Sequence, residues 1–267
     1  MTINRLLITG AAGNLGKVAA AHFRGKYPHL RLSDREDITD VGDSVEVVQC
    51  DLADRNKVEQ MLDGVDAVIH LGGQPYEADW DTVISSNLIG AANLFESARQ
   101  AGTERIIFAS SNHAIGMHTR TTRIDHAAEP RPDSRYGLSK AFGEDLGRLF
   151  AYKYGLRSFN LRIGSCFPKP FDARSLATWL SFRDFCQLLD IGLNADYLFE
   201  IVYGVSANPT SWWDNRNAER LGYKPLDTAE DYRAEVENKV FDDPVAQSLQ
   251  GGTYGAVDFA GDLEALG

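Results

Sequence analysis

Short apolar runs alternate with stretches of helical period through the first half of the chain. Leu6-Leu7-Ile8 reads as a buried strand, and the helix after it carries Leu15, Val18, Ala19 and Phe23 on one stripe. Leu30-Arg31-Leu32 is a second strand ending at Ser33-Asp34, and Val45 to Val48 a third. Asp54 caps a short helix from Arg55 to Leu62, and Ala67 to Leu71 is a fourth strand stopped by Gly72-Gly73. The pattern predicts one long helix from Trp80 to Ala101, closed by Gly102, and a fifth strand from Arg105 to Ala109. Such alternation implies an α/β fold with a doubly wound parallel sheet covered on both faces. Ligands in these folds sit beyond the carboxyl ends of the strands, here Gly10, Asp34, Asp51, Leu71 and Ser110-Ser111.

The second half is less regular. Arg135 to Tyr154 reads as a helix and Phe159 to Ile163 as a sixth strand. The chain turns irregular from Cys166, with a helix expected within Leu176 to Leu189 and one more strand from Leu198 to Tyr203. The tail from Asp242 has a weak structural signal. These signals predict one domain over residues 1–267, in which residues from about 164 onward form a small substrate-binding part.

Composition removes some function classes. Hydrophobic residues make up 43% and charged residues 24%, as in an ordinary globular protein. A net charge of -11 repels nucleic acid and anionic membranes, so neither is expected as a partner. No apolar stretch approaches a membrane span, and the run after Met1 is too short for a secretion signal. Cys50, Cys166 and Cys186 are far apart and lack metal-ligand spacing. They read as reduced, buried thiols in a cytoplasmic protein that holds no metal.

The chemistry begins at Gly10-Ala11-Ala12-Gly13-Asn14-Leu15-Gly16, a GxxGxxG turn between the first strand and first helix. Glycines are needed where the chain turns sharply and where a side chain would block a pyrophosphate. The helix start at Asn14 and Leu15 aims N–H groups and a positive dipole end at the same phosphates. This is the Rossmann-like dinucleotide site. Asp34, ending the second strand, can accept from both ribose hydroxyls and repels a 2′-phosphate, which favours NAD over NADP. Arg35 beside it is the counter-signal. Asp51 and Leu52 follow the third strand, where the adenine would lie.

Tyr136 and Lys140 are four apart on a predicted helix and therefore share a face. A tyrosine ionises near pH 10, so its use as a base needs cations nearby to stabilise the phenolate. The pair alone could be chance spacing. Ser110-Ser111-Asn112-His113 at the fifth strand end adds a hydroxyl able to align a reacting alcohol, with Ser111 as the candidate. Glycine turn, serine and Tyr/Lys pair in this order point to hydride transfer.

The stretches TGAAGNLG (Thr9 to Gly16), DL (Asp51-Leu52), HLGG (His70 to Gly73), Asn87, SSNHAIG (Ser110 to Gly116) and YGLSK (Tyr136 to Lys140) together resemble the extended short-chain dehydrogenase/reductases. That resemblance implies catalysis by Ser111, Tyr136 and Lys140, and a cofactor site lined by Leu71, Gly72, Gly73, Asn87, Ser110 and Ile163. RIGSC (Arg162 to Cys166), the segment around Arg174, SWWDN (Ser211 to Asn215) and LGYKP (Leu221 to Pro225) bring the sequence nearer to bacterial uronate dehydrogenases. These oxidise the anomeric carbon of glucuronate or galacturonate to an aldarolactone. By position, the likeness implies that Ser111, Asn112, His113, Ser165 and Arg174 hold the sugar. Gln74 and Pro75 follow HLGG where a substrate contact is expected, although Pro75 has no N–H to donate.

Two features bear on the substrate independently. The acidic chain repels a uronate at long range, so a local cation must offset this, and Arg174 can grip a carboxylate through two parallel hydrogen bonds. The Trp212-Trp213 pair is expected to pack the C-terminal part rather than stack on sugar. A nucleotide-sugar epimerase or dehydratase of the same fold, and an NAD-sensing regulator without turnover, are the alternatives. The resemblance implies a homo-oligomer in which the long helices, Trp80 to Ala101 and Arg135 to Tyr154, pair.

Overall fold

Each apolar run of the first half forms its strand. The computed structural model describes residues 2–39, 42 and 45–266. In order, it has β1 (Arg5–Thr9), α1 (Asn14–Phe23), β2 (His29–Asp34), β3 (Val45–Gln49), α2 (Arg55–Met61) and β4 (Ala67–His70). There follow α3 (Trp80–Val83), α4 (Gly90–Ala101), β5 (Arg105–Ser111), α5 (Arg135–Tyr154) and β6 (Arg157–Ile163). Then come β7 (Ser165–Cys166), α6 (Ser175–Thr178), β8 (Trp179–Leu180), α7 (Phe182–Asn194) and β9 (Phe199–Gly204). The main sheet has seven strands in the order β3-β2-β1-β4-β5-β6-β9, and β7 and β8 pair separately. This is the Rossmann-like parallel sheet. Leu7 on β1 stands between Arg31 on β2 and Val68 on β4. Chain order therefore reverses direction beside β1, and the carboxyl ends of β1 and β4 form the switch point at which such sheets bind ligands.

Arg31 is the odd residue in an apolar strand. It is buried because its guanidinium is answered: Nε donates to Glu46 Oε2 at 2.9 Å, and Nη1 to the carbonyls of Met61 and Asp63.

The helix expected within Leu176 to Leu189 is present as part of α7, and three other expectations change in detail. The stretch Trp80–Ala101 is not one regular helix, because a π-helical turn, Ile84–Ile89, separates α3 from α4. Gly102 does close α4, in the left-handed conformation at φ 77°. β5 runs two residues further than expected and takes Ser110 and Ser111 into the strand. Leu176–Leu189 spans parts of α6 and α7 with β8 between them. The tail is not featureless: Asp243 caps a helix at Pro244–Ser248, and another covers Thr253–Ala256.

The chain divides into two compact units. One comprises Met1–Ala109, Phe142–Asn160 and Gly192–Glu200, and the other Ser110–Ala141, Leu161–Ile191 and Ile201–Gly267. The first is built on a core of Leu7, Val68, Leu94, Phe95, Ile106 and Phe108. In the second, Tyr203 and Trp213 stack at 5.1 Å and 7° among Ile115, Ile124 and Val205. Trp213 Nε1 donates to Gln250 Oε1 at 2.8 Å, which gives the buried indole a structural partner.

Candidate active site

The first unit carries the glycine turn. Gly10 has φ +71°, and a Cβ there would lie 2.5 Å from the Leu71 carbonyl carbon. A Cβ on Gly16 would overlap the Gly10 carbonyl oxygen. No other residue type fits either place without moving backbone. Gly13 donates to the Gly10 carbonyl at 3.1 Å and precedes α1, whose first turn has no side-chain cap and no acidic residue. The helix start thus keeps its positive end for an external anion. Asp34 anchors the turn: Oδ2 accepts from the Ala12 N–H at 2.9 Å and Oδ1 from the Glu36 N–H at 3.2 Å. A carboxylate has four acceptor positions, so lone pairs remain for ribose hydroxyls. Arg35, the counter-signal, pairs with Glu36 at 3.4 Å.

Around the switch point, Thr9 Oγ1 meets His70 Nδ1 at 2.7 Å and accepts from the Gly72 N–H at 3.2 Å. Leu52 packs close to Gly72, where a Cβ would stand 2.9 Å from Leu52 Cδ1. Asp51 is exposed and accepts from the Ala53 N–H. Asn87 sits in the π turn and is buried. Its Oδ1 accepts from the Gln74 N–H at 2.7 Å, and its Nδ2 donates to the Gln74 carbonyl at 3.1 Å. Gly73, at φ +123°, lets that amide approach, since a Cβ would lie 2.7 Å from Asn87 Oδ1. The extra residue of the π turn is therefore used to tie down the loop after β4. Pro75 beyond it is exposed.

The second unit holds the remaining candidates. Ser110, Ser111 and Asn112 are buried at the end of β5. Ser111 Oγ accepts from the His113 N–H at 3.2 Å, which leaves its own O–H to donate elsewhere. Tyr136 and Lys140 lie one turn apart on α5, with Nζ 5.5 Å from the phenol ring centroid. Burial pulls Lys140 down to about 8. His113 stacks on Tyr254 at 4.1 Å and meets Tyr136 edge-on at 5.8 Å. Its Nδ1 lies 2.7 Å from Oδ2 of Asp133, whose side chain is fully buried.

Arg174 is half-buried and makes no ion pair among the described residues. Its Nε and Nη2 both donate to the Gln250 carbonyl, at 2.9 and 2.6 Å. With its amide turned to satisfy both neighbours, Asn112 donates to the Ile163 carbonyl at 3.1 Å and accepts from Arg174 Nη2 at 2.7 Å. Nη1 has only a long contact to Ser165 Oγ, at 3.5 Å, and that hydroxyl pairs with Thr178 Oγ1 at 2.8 Å. The side-on fork expected for a carboxylate is thus spent on Gln250, and the Nη1 end remains. Burial first, and Arg120 second, pull Arg174 down to about 10, which still leaves it charged at neutral pH.

The structure brings Ser111, Asn112, His113, Tyr136, Lys140, Ile163, Ser165 and Arg174 into one unit, and Gly10 to Gly16, Asp34, Asp51, Leu52, Leu71 to Gln74 and Asn87 into the other. Sequence reasoning missed Asp133, Gln250 and Tyr254. Asp133 follows Pro132 and reads as an ordinary helix-start aspartate. The other two lie in the tail, where no periodicity flags them.

The NAD dependent epimerase/dehydratase family model matches residues 6–181. A uronate dehydrogenase of Pseudomonas syringae pv. tomato is 46% identical, over 97% of this chain and 96% of that one. The crystal structure of glucuronic acid dehydrogenase from Chromohalobacter salexigens superposes with TM-score 0.91 at 47% identity, over 98% of this chain and 99% of that one. A tyrosine-to-alanine mutant of uronate dehydrogenase from Agrobacterium tumefaciens, complexed with NAD, gives 0.90 at 42% identity, over 95% and 97%. With more than half its length under the family model and close likeness over nearly all of it, the chain belongs to the NAD dependent epimerase/dehydratase family.

Proposed function

We propose that the chain is an NAD-dependent uronate dehydrogenase that oxidises a cyclic hexuronate, glucuronate or galacturonate, at C1 to the aldarolactone. The observation that carries this reading is Arg174: a half-buried cation with no ion pair among the described residues, in the unit that also holds Ser111 and Tyr136. A charge drawn partly out of water is costly; Asp172 and Asp133 act on it without ion-pairing, and a substrate carboxylate is the direct counterion that would relieve the cost. The end-to-end likeness to uronate dehydrogenases supports the same choice.

The glycine turn fits a dinucleotide, because Gly10 and Gly16 let the chain pack tightly against the backbone of Leu71 and Gly10 and bring it into an uncapped helix start suited to a pyrophosphate. Gly10, Gly13 and Gly16 with the start of α1 hold the pyrophosphate, Asp34 accepts from the ribose, and Leu52, Leu71, Gly72 and Gly73 line the site. Bound NAD supplies the acceptor for the hydride that leaves C1. Tyr136, as phenolate, takes the C1 hydroxyl proton. Lys140 stabilises that phenolate by its charge. Ser111 donates to the same oxygen and aligns it. Arg174 Nη1 meets the carboxylate, and Asn112 holds the guanidinium in direction. The ring C–O bond is untouched, so C1 leaves as a lactone carbonyl.

Three free buried thiols support a reducing, cytoplasmic setting. Exposed Ile84, Ile89 and Leu149 support a homo-oligomer. An epimerase or dehydratase would return its hydride and release no NADH, and a sensor would bind NAD without turnover. NADH absorbance against a panel of free sugars separates the three. Glucuronate or galacturonate should give net NADH, and a UDP-sugar none. Glucose 6-phosphate, with a different anion at C6, should react at least about tenfold more slowly. Absence of NADH with every free uronate overturns the reading.

A further inference from the structure

We propose that Asp133 is a positioning residue that sets the tautomer of His113, so that His113 presents the Nε2 lone pair to a hydroxyl of the sugar. The proposal rests on reading the second unit as the uronate site.

The Asp133 carboxylate is built in. Its side chain is fully buried, and Oδ1 accepts from Ser134 Oγ at 2.7 Å. That Oγ in turn accepts from the Gly137 N–H at 2.9 Å, so its proton is committed to Asp133. Three glycines clear the space. A Cβ on Gly116 or Gly251 would overlap Oδ2, and a Cβ on Gly137 would lie 3.0 Å from Oδ1. Oδ2 is left facing His113 Nδ1 at 2.7 Å.

An ionised carboxylate only accepts hydrogen bonds, so Nδ1 must carry the proton. A singly protonated imidazole then has its lone pair on Nε2. The ring is held by the Tyr254 stack and by Tyr136 edge-on, and the residue's backbone N–H donates to Ser111 Oγ. Its Nε2 has no partner among the described residues. A lone pair repels a carboxylate and accepts from an alcohol. Recognition is thereby divided: Arg174 answers the carboxylate, and His113 accepts from a hydroxyl elsewhere on the ring. That is a different role from the second carboxylate donor that a histidine beside an anion site would suggest.

The test is long-range 1H–15N correlation NMR on protein labelled with 15N-histidine, with His113 assigned by its loss in His113→Asn. The wild type should show Nε2 unprotonated. In Asp133→Asn, the Ser134 hydroxyl keeps the amide oxygen at the Oδ1 place and turns the NH2 group toward Nδ1. The tautomer should then reverse, with Nδ1 unprotonated. The KM for glucuronate should rise about tenfold in that variant, with kcat within about threefold and the KM for NAD within about twofold, the size of one hydrogen bond turned from favourable to absent. A wild-type proton on Nε2, the same tautomer in both proteins, or an unchanged uronate KM overturns the proposal. If Asp133→Asn fails to fold, the wild-type spectrum alone decides. A wild type that turns over no uronate contradicts the substrate reading and leaves the tautomer measurement standing separately.

Discussion

Burying a guanidinium costs several kcal/mol unless its donors are met and its charge is answered. Arg174 meets the first condition through Gln250 and Asn112, and on the proposed reading the substrate carboxylate meets the second. A lysine there would keep the charge but could not reach the Gln250 carbonyl from two nitrogens while holding Asn112. Arg174→Lys should therefore raise the uronate KM by about 10–100-fold, the loss expected for charge-assisted hydrogen bonds, with the NAD KM unchanged. Steady-state kinetics with each substrate varied in turn checks this, and an equal loss on both sides would move Arg174 out of the sugar site. Sequence reading could find Arg174 only by its likeness to a family, because nothing local marks an arginine after Asp172-Ala173. That its side-on edge is already used depends on a carbonyl 76 residues away, which no local pattern encodes.

On the proposed reading, cofactor binding depends on the strand-to-helix turn. Two glycine substitutions separate backbone conformation from close approach. Gly102→Ala places a side chain at φ +77° with nothing within 4 Å, so it should cost about 1–2 kcal/mol of stability and leave NAD affinity alone. Gly16→Ala drives a Cβ into the Gly10 carbonyl. It should weaken NAD binding at least about 100-fold, the effect of opening the turn around a pyrophosphate held by backbone. Thermal melts and NAD titration by fluorescence distinguish them, and equal effects on NAD would refute the distinction. Elements of this kind are legible because the short apolar runs and the glycine spacing are local. The π turn is not. Its 3.6-residue apolar pattern continues on both sides, and only the pairing of Asn87 with the Gln74 backbone requires the extra residue. The last third was read poorly because α6, β8 and the tail helices are held by contacts across sequence, such as Gln250 with Trp213.

At the scale of the whole molecule, the buried charges that serve chemistry should cost stability. Lys140 falls from 10.5 to about 8 by burial. Below pH 8 the folded and unfolded chains both hold the proton, and the folded state carries the cost of an interred ammonium. Between about 8 and 10.5 the unfolded chain binds more protons, so stability rises with pH; above that both are neutral. Lys140→Met, without cofactor, should therefore be more stable than the parent at pH 7 by about 1–3 kcal/mol, while losing activity. The gain should shrink as pH rises toward 10.5, and a melting temperature lowered at pH 7 would contradict it. On the proposed reading, the candidates for NAD in the first unit and for the sugar in the second serve one activity, the removal of hydride from an anomeric carbon. The most direct test is glucuronate deuterated at C1, incubated with NAD and followed by NMR. The account predicts one deuterium in the reduced cofactor for each lactone formed, a slowed rate relative to the protonated sugar, and loss of both products in Tyr136→Phe. Deuterium retained on the sugar while an isomer accumulates, or lactone formed at the parental rate by Tyr136→Phe, would contradict it.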